Sequence, residues 1–509
     1  MSAVQTISTA VTPADPAQLI HGTKSEDSDA SLNQDRKLTP LEVISYGSPI
    51  LQGPPRHVSF AAERLHRLNH MAAAFRHWSR EGYVFGFSGY SGGDSRYVYS
   101  HVHIYGHQAK VAKFKNYEVL SRQAANTLTL RDKAQHSRRR RVVSQAFSEN
   151  SLPLFEPKIL ARIDTFCEML RTKPREAFQD KTMEHSHAWT GPIDMSDEFN
   201  NLAFEIMTEV LFDMDFDTMS SVEYRYAMKA IEESNVRLGV LLQASELAIG
   251  FLDRRLFSQA LRGRRQFVKF IRMVMAKRLG APKGQSRDLF SHLQDCIDPV
   301  TGKGLSTETA TFIVAGADTS STSMAAVSHY ITGSSHWYRK AAEEVRSTFP
   351  SAEDIRLGPK LNSCICLRAC IDESLRLSPP GGSALWREVE AGGMTIAGDF
   401  VPEGSEVAVG FYSIQHSTNY YDRPFEFDAS RWYRPVERVA SDQQQSPYMP
   451  FSIGPRSCVE KPMAIAQITL VFARLLWEFD LRRASSPSDW ENQDLSPTEG
   501  GTCLMRSSA

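Results

Sequence analysis

The chain has 509 residues, of which 41% are hydrophobic and 23% are charged. This balance is typical of a globular protein with enough apolar side chains to enclose a large core and a cofactor. The 58 basic and 59 acidic residues almost cancel, so the net charge gives no reason to expect a nucleic acid partner. The seven cysteines do not form the dense pattern of a small disulfide scaffold, and they favour a reducing compartment.

Residues 1–55 are rich in Ser, Thr, Asp, Gln and Pro, which predicts a flexible polar tail. Residues 56–509 then form one predicted domain. The first residues lack a basic start followed by an apolar run, so no signal peptide is expected. No segment reaches the roughly 18 uninterrupted apolar residues of a membrane-spanning helix, so none is predicted.

The residues that follow the tail change in pattern along the chain. Residues 80–105 are rich in Gly, Ser and Tyr, which predicts short strands and turns. Residues 280–303 hold Gly, Pro and Asp and predict a loop. Apolar residues at helical spacing predict helices at Ala134–Phe147, Leu152–Leu170, Asn200–Phe212, Leu256–Leu279, Ser306–Thr332, Tyr338–Phe349, Cys364–Leu377 and Val459–Phe479. With two short strands predicted at Met394–Ala397 and Glu406–Val409, the fold class is mainly α with a minor β region.

A cysteine loop precedes the last predicted helix, in the sequence MPFSIGPRSCVEKPMA of residues 449–464. A thiolate is a strong ligand for iron, and the free N–H groups at the helix start favour a negative sulfur on Cys458. Gly454 permits a turn close to a flat ring, Arg456 can neutralise a carboxylate, and Phe451 can pack on the loop. An isolated cysteine is more often a buried core residue. The spacing F-x-x-G-x-R-x-C, however, arises by chance in about one such chain in a thousand, which favours a ligand.

The predicted long helix is interrupted by polar residues in the sequence IVAGADTSSTS of residues 313–323. Gly316 permits close approach of a ligand, and the hydroxyl of Thr319 can bond the carbonyl one turn back. We predict a groove that holds water beside an apolar pocket. In it, Thr319 serves as hydrogen-bond donor or water holder, and Asp318 is the proton-relay group. The alternative is a solvent-facing polar patch on a core helix.

These two motifs together resemble those of the cytochrome P450 superfamily. Phe451–Cys458 resembles its haem-binding signature, and Ala315–Ser320 resembles its oxygen-binding motif A-G-x-D-T-[TS]. Glu373 and Arg376, with Arg431 downstream, resemble its structural E-x-x-R triad. The segments LRACIDESLRLSPP, LWREV and FSIGPRSC look most like fungal members grouped with benzoate hydroxylases and pisatin demethylases.

The resemblance implies the cytochrome P450 fold, a helical domain that encloses haem b and carries small antiparallel sheets. Its haem-binding core would span residues 306–480, with Cys458 bound to the iron. The family pattern assigns Arg140 and Arg387 to the haem propionates and places His136 where the family has an aromatic residue. The family usually has glycine two residues after the cysteine, and here Glu460 stands there. We expect this glutamate to turn outward or to push the backbone.

The resemblance also implies a haem-thiolate monooxygenase that inserts one atom of O2 into a small hydrophobic organic substrate, in fungal secondary metabolism. A reductase would supply electrons from NADPH, and Phe312 and Ala315 would contact the substrate. Arg138, Arg139 and Arg141 are either a solvated helix face or a docking surface for that acidic electron donor. The family implies the endoplasmic reticulum surface, and peripheral membrane association is left open. Two rival readings are a haem-thiolate enzyme that catalyses oxidative coupling or isomerisation, and a degenerate, non-catalytic relative.

Overall fold

The structure is a computed structural model. It describes residues 100–121, 125–173, 190, 193–243, 247, 252–280, 288–294, 303–382, 384–433, 447–483 and 502–507. All of these residues belong to one compact unit, residues 78–509. The predicted tail at 1–55 and most of the predicted strand region at 80–105 lie outside the described residues.

Helices dominate the described part of the chain. In chain order they are α1 Ser100–Tyr105, α2 Lys133–Ala146, α3 Leu152–Thr172, α4 Met195–Phe212, α5 Tyr226–Gln243, α6 Leu252–Leu256, α7 Ser258–Leu279, α8 Leu289–Gln294, α9 Lys303–Gly333, α10 Ser335–Thr348, α11 Pro359–Asn362, α12 Ile365–Leu377, α13 Phe411–Gln415 and α14 Lys461–Glu478. Among these residues, no helix is both long and apolar enough to cross a lipid bilayer.

Short strands form three small antiparallel sheets. They are β1 Val111–Lys113, β2 Ile193–Asp194, β3 Arg387–Val389, β4 Met394–Ile396, β5 Asp399–Val401, β6 Glu406–Val407, β7 Phe479–Arg483 and β8 Thr502–Ser507. The sheet orders are β1-β3-β6, β2-β8-β7 and the hairpin β4-β5. In the first sheet Lys113 lies directly opposite Arg387, so two basic side chains face each other across neighbouring strands.

Each helix predicted from periodicity occurs, although its ends shift, and three predictions were wrong or incomplete. Residues 100–105 form α1 rather than strands, because Ile104 and Tyr105 pack into a small core with Phe411. The predicted loop at 280–303 contains α8, which Asp288 supports by accepting a hydrogen bond from the backbone of Ser291 at 3.0 Å. Helix α5 was not predicted at all.

The long helix α9 has 31 residues and is continuous through its polar centre. It packs against α4, α12 and α14, and its buried side chains belong to the main core. Ile313, Ala317, Met324, Val327 and Ile331 are all buried, at the spacing of one helical face. Of the polar residues that interrupt the pattern, Ser320 and Ser321 are buried, Asp318 is half-buried and Thr319 is exposed.

The predicted E-x-x-R triad is present and fully paired. Arg376 Nη2 and Nε donate to Glu373 Oε1 and Oε2 at 2.8 and 2.9 Å, and both side chains are 0% exposed. Arg431 Nε donates to Glu373 Oε1 at 3.2 Å, and Trp432 Nε1 donates to Glu373 Oε2 at 2.9 Å. These bonds join α12 to the chain that leads to the cysteine loop.

Candidate functional site

The cysteine loop is held close to α1 by Gly454. This glycine has a φ of +70°, and a Cβ placed on it would collide with the carbonyl oxygen of Tyr105. Residues Gly454–Arg456 form a short 3-10 turn, and the backbone N–H of Cys458 donates to the carbonyl of Phe451 at 2.8 Å. Glycine was predicted here for approach to a flat ring. In the structure the backbone of α1 requires it as well.

Cys458 is a free, exposed cysteine that lies just before the start of α14. Partial removal of water by the surrounding protein, together with the charge of Glu460, raises the pKa of the Cys458 thiol to about 12. The backbone N–H groups of Glu460 and Lys461 and the guanidinium of Arg140 act in the opposite direction and favour the thiolate. A bound metal cation would add the remaining stabilisation, because a coordinating thiol loses its proton.

Glu460 does not turn outward, so that part of the expectation was wrong. Its side chain is 7% exposed and points to α9. One carboxylate oxygen lies 2.8 Å from the position that a Cβ on Gly316 would occupy, and the thioether of Met207 fills the rest of that space. Gly316 thus accommodates Glu460, and burial raises the pKa of this carboxyl to about 8. The contact also brings the cysteine loop together with the polar centre of α9.

Five basic side chains converge near the cysteine loop, and we call them the basic cluster: Lys113, His136, Arg140, Arg387 and Arg456. Arg140 Nη1 donates to the carbonyl of Ser457 at 2.6 Å, one residue before the cysteine. Arg456 Nη1 donates to the carbonyl of Leu130 at 2.6 Å, and Arg387 Nη1 donates to the carbonyl of Trp386 at 2.9 Å. Lys113 donates to the carbonyl of Leu128. Backbone carbonyls, and not carboxylates, therefore accept these hydrogen bonds.

The members of the basic cluster repel one another. Burial lowers the pKa of His136 to about 3, and the charges of Arg456, Lys113 and Arg140 lower it further. Burial, with the charges of Arg387 and Arg140, lowers the pKa of Arg456 to about 10. Lys113 has its pKa lowered well below the ordinary value by burial and then by three of these arginines. Such an arrangement fits a dianionic ligand, because two carboxylates would relieve the repulsion.

Lys113 was not predicted as a site residue. Its position in the sequence VAKF is unremarkable, since a lysine in a short strand is usually solvated. It is only 6% exposed here, and the strand register alone places it opposite Arg387. No local signal in the sequence could have shown this pairing.

The polar centre of α9 contains the hydroxyl of Thr319 and the carboxyl of Asp318. Thr319 is exposed, and its hydroxyl donates to the carbonyl of Ala315 at 2.6 Å, as predicted, without interrupting the helix. Asp318 is half-buried and accepts a hydrogen bond from Asn235 Nδ2 at 3.1 Å. Burial raises the pKa of Asp318 to about 6, and the bond from Asn235 opposes this increase. Asn235 lies on α5, which the sequence did not predict.

The structure adds to two further residue expectations. Phe312 is 3% exposed, and its ring lies 5.1 Å from that of Phe147 in the main core; its contact with substrate stays a prediction. Arg139 is not simply part of a solvated or docking face, because it forms an ion pair with buried Glu308 at 3.0 Å. Its neighbours Arg138 and Arg141 are exposed and remain compatible with either of the two readings.

Comparisons with known proteins agree with this arrangement. The family model described as Cytochrome P450 matches residues 96–503. The cytochrome P450 monooxygenase lcsN of Purpureocillium lilacinum is 67% identical over 312 residues, covering 60% of this chain and 93% of its own. The cytochrome P450 monooxygenase poxM of Penicillium oxalicum is 43% identical over 387 residues, covering 74% of this chain and 73% of its own. A cytochrome P450 monooxygenase of Gibberella zeae is 41% identical over 387 residues, covering 75% of this chain and 86% of its own.

Proposed function

The chain belongs to the cytochrome P450 family, and from this premise we propose how its own residues carry a haem-thiolate monooxygenase reaction. The enzyme inserts one atom of O2 into a small organic substrate and uses haem as its cofactor. We propose that Cys458 would bind the haem iron through its sulfur. The observation that carries this assignment is an exposed thiol at a helix start, facing α9 through the Glu460–Gly316 contact and flanked by the basic cluster.

The donor set fits haem b. The thiolate supplies the soft ligand that iron accepts, and the uncompensated basic cluster supplies partners for two propionates. Arg140, Arg387 and Arg456 would hold these carboxylates, with His136 and Lys113 beside them. Phe451 and Gly454 keep the loop in the shape that presents the sulfur, and Phe451 is only half-buried. When bound, the haem supplies the redox chemistry that activates dioxygen.

Thr319 and Asp318 would manage protons on the other side of the site. The Thr319 hydroxyl already donates to Ala315, so its oxygen can accept a hydrogen bond from a water in the open space beside it. Asp318, with its pKa near 6, can exchange a proton at neutral pH. The pair therefore holds a water and a proton close to the place where oxygen reacts. Because both residues are retained, monooxygenation is favoured over the rival isomerisation.

We base the electron donor, the cellular location and the substrate class on the family and on the positive charge of exposed arginines. Electrons would come from NADPH through a cytochrome reductase at the endoplasmic reticulum surface, where exposed Arg138 and Arg141 can meet an acidic donor. The substrate would be small and hydrophobic and would belong to fungal secondary metabolism, as the fungal relatives suggest. The rival of a degenerate relative rested on Glu460 and on the irregular N-terminal half of the sequence. The space that Gly316 leaves for the buried Glu460 side chain weakens the first of these two arguments.

The first experiment is the carbon monoxide difference spectrum of the reduced, purified protein. The wild type should show the long-wavelength Soret band of thiolate-ligated haem. Cys458→Ser should lose that band and, with reductase and NADPH, should lose substrate oxidation. Cys364→Ser is a matched control, because this buried cysteine lies in the core away from the loop. A wild-type protein without haem, or with the band of neutral ligation, would rule out the assignment of Cys458.

A further inference from the structure

Polar side chains of α5 and α4 lie beside the α9 acid. Asn235 Nδ2 on α5 donates to Asp318 Oδ2 at 3.1 Å, and Asn200 Nδ2 on α4 donates to Glu232 Oε1 at 3.1 Å. Glu232 and Asn235 are three positions apart on α5, so they lie on the same face of that helix. Asp197, three positions before Asn200, is exposed in the first turn of α4. The charges of Asp318 and Asp197 both act on Glu232, so this carboxyl is near both the inner acid and an exposed one.

We propose that Glu232 returns a proton to Asp318 after each turnover, while Asn235 and Asn200 hold the two carboxyl groups in position. The inference rests on the proposed role of Asp318 as the inner proton donor. Glu232 does not touch the substrate or the haem site, so it is a positioning and relay residue that acts through Asp318.

The transfer is balanced without any redox partner. The Glu232 carboxyl gives its proton through a bridging water to the Asp318 carboxylate, so that an O–H bond breaks at Glu232 and another forms at Asp318. Glu232 is left as a carboxylate and takes a proton from solvent at the Asp197 end. A water is needed, because side chains three positions apart on a helix are about 5–6 Å apart at Cβ and an amide is a poor proton carrier.

The electrostatics of the two carboxyl groups support the transfer. Burial and the charges of Asp318 on α9 and Asp197 on α4 together raise the pKa of Glu232 to about 7. The hydrogen bond from Asn200 and the charge of Lys229 on the same helix oppose this increase. Because the pKa of Asp318 is about 6, a protonated Glu232 and a charged Asp318 coexist near neutral pH. A proton donor and acceptor matched in this way exchange a proton at little free-energy cost.

The rival is a purely structural role, in which Glu232 only joins α5 to α4 through Asn200. The neighbouring acid Glu233 gives a matched control, because it accepts from Gln259 of α7 at 3.0 Å. Glu232→Gln and Glu233→Gln each remove one carboxylate from α5 and preserve the side-chain shape. A structural role would reduce the free energy of unfolding in Glu232→Gln without altering any proton-linked property.

Infrared titration of the haem-loaded protein measures the carboxyl protons directly, without catalysis. Glu460, whose pKa is raised to about 8, also contributes a protonated carboxyl, so the signal of Glu232 is the difference between the wild-type and Glu232→Gln spectra. That difference should contain a C=O stretch that disappears as the pH rises through about 7, and the difference between wild type and Glu233→Gln should not contain it. If the wild-type and Glu232→Gln spectra are the same, Glu232 does not hold the proton and the proposal is overturned.

The kinetic test follows NADPH oxidation and hydrogen peroxide release with a fungal reductase and no added substrate. In Glu232→Gln, NADPH oxidation should be slower by about tenfold, with a larger solvent isotope effect and an unchanged carbon monoxide spectrum. Glu232→Asp should recover part of the rate, because it retains the acid. In the wild type the rate should fall as the pH rises through about 7, and this limb should be absent from Glu232→Gln.

Asp318→Asn separates the two proposals. One outcome is that Asp318→Asn slows NADPH oxidation while Glu232→Gln behaves like Glu233→Gln. In that case the proposed proton transfer from Glu232 is wrong, and the role of Asp318 stands. If Asp318→Asn leaves the rate and the isotope effect unchanged, the role of Asp318 is wrong, and the relay proposal is overturned with it.

Discussion

Two groups of buried arginines in this protein are in opposite electrostatic states. In the Glu373 cluster, made of Glu373, Arg376 and Arg431, two guanidinium groups meet one carboxylate, and carbonyl oxygens accept the remaining bonds of Arg376. In the basic cluster, cations face other cations, and backbone carbonyls accept their hydrogen bonds. The first group therefore pairs its guanidinium charges with a carboxylate of the chain, whereas backbone oxygens take that place in the second.

The difference distinguishes a structural cluster from a binding site. Burying a charge is costly unless it is paired, so folding alone favours the arrangement around Glu373. Like charges placed directly opposite on neighbouring strands destabilise a sheet, as Lys113 and Arg387 do here. The lowered pKa of Lys113 relieves part of this repulsion, and we propose that the haem propionates relieve the rest.

Glu373→Gln should have the largest effect. It leaves Arg376, which is 0% exposed, without its bidentate carboxylate, and the free energy of unfolding should fall by about 3–5 kcal/mol. Denaturant unfolding measures the change. Glu426→Gln is the control, because its pair with Arg423 is exposed and should contribute less than about 1 kcal/mol. Similar losses in the two variants would contradict the structural role of the Glu373 cluster.

Removing the charges of the ligand should have the next largest effect. Haem dimethyl ester lacks both carboxylates, so it should bind about 100-fold more weakly than haem if the basic cluster binds the propionates. Transfer of each porphyrin to a haem-scavenging protein measures its retention. In Arg387→Met the difference between the two porphyrins should shrink. If the wild type retains haem and its dimethyl ester equally well, the basic cluster does not bind the carboxylates of haem.

Arg431→Met should have an intermediate effect on the Glu373 cluster. It removes the bond at 3.2 Å from Arg431 to Glu373, while the bidentate pair with Arg376 remains. The free energy of unfolding should fall by about 1–2 kcal/mol, less than in Glu373→Gln. Denaturant unfolding again provides the measurement. If Arg431→Met loses as much free energy of unfolding as Glu373→Gln, the bond from Arg431 contributes as much to the Glu373 cluster as the Arg376 pair does.

Lys113→Met should have the smallest effect. It should stabilise the haem-free protein and weaken the binding of haem. The haem-free protein should gain about 1 kcal/mol, because a buried cation among cations is replaced by an apolar side chain of similar length. Haem retention should weaken slightly. The lowered pKa of Lys113 means that the haem-free wild type gains stability as the pH rises toward the ordinary lysine pKa, and this gain should be missing in the variant. If haem-free Lys113→Met is less stable than the haem-free wild type, Lys113 is not repelled by the other basic side chains.

Much of the site was predicted from the sequence. The cysteine loop, the Asp318–Thr319 pair and the E-x-x-R pair are all defined by spacing within about ten residues, and a local pattern can show such spacing. The hydroxyl bond of Thr319 to Ala315 and the pairing of Glu373 with Arg376 both occur as expected. The direction of Glu460 was predicted wrongly, because it depends on the space left by Gly316 and Met207 on other helices.

The sequence by itself determined most of the long helices, the position of the thiol in the chain and the alcohol and acid that lie on α9. Periodicity reports the apolar face of one element, and that information is local. Only the tertiary structure placed Lys113 opposite Arg387, turned Glu460 inward, bonded Asp318 to Asn235 and brought its charge near Glu232. These contacts join residues far apart in the chain, so they depend on strand register and helix packing. The repulsion within the basic cluster and the raised pKa values of the acids exist only after that packing has removed water.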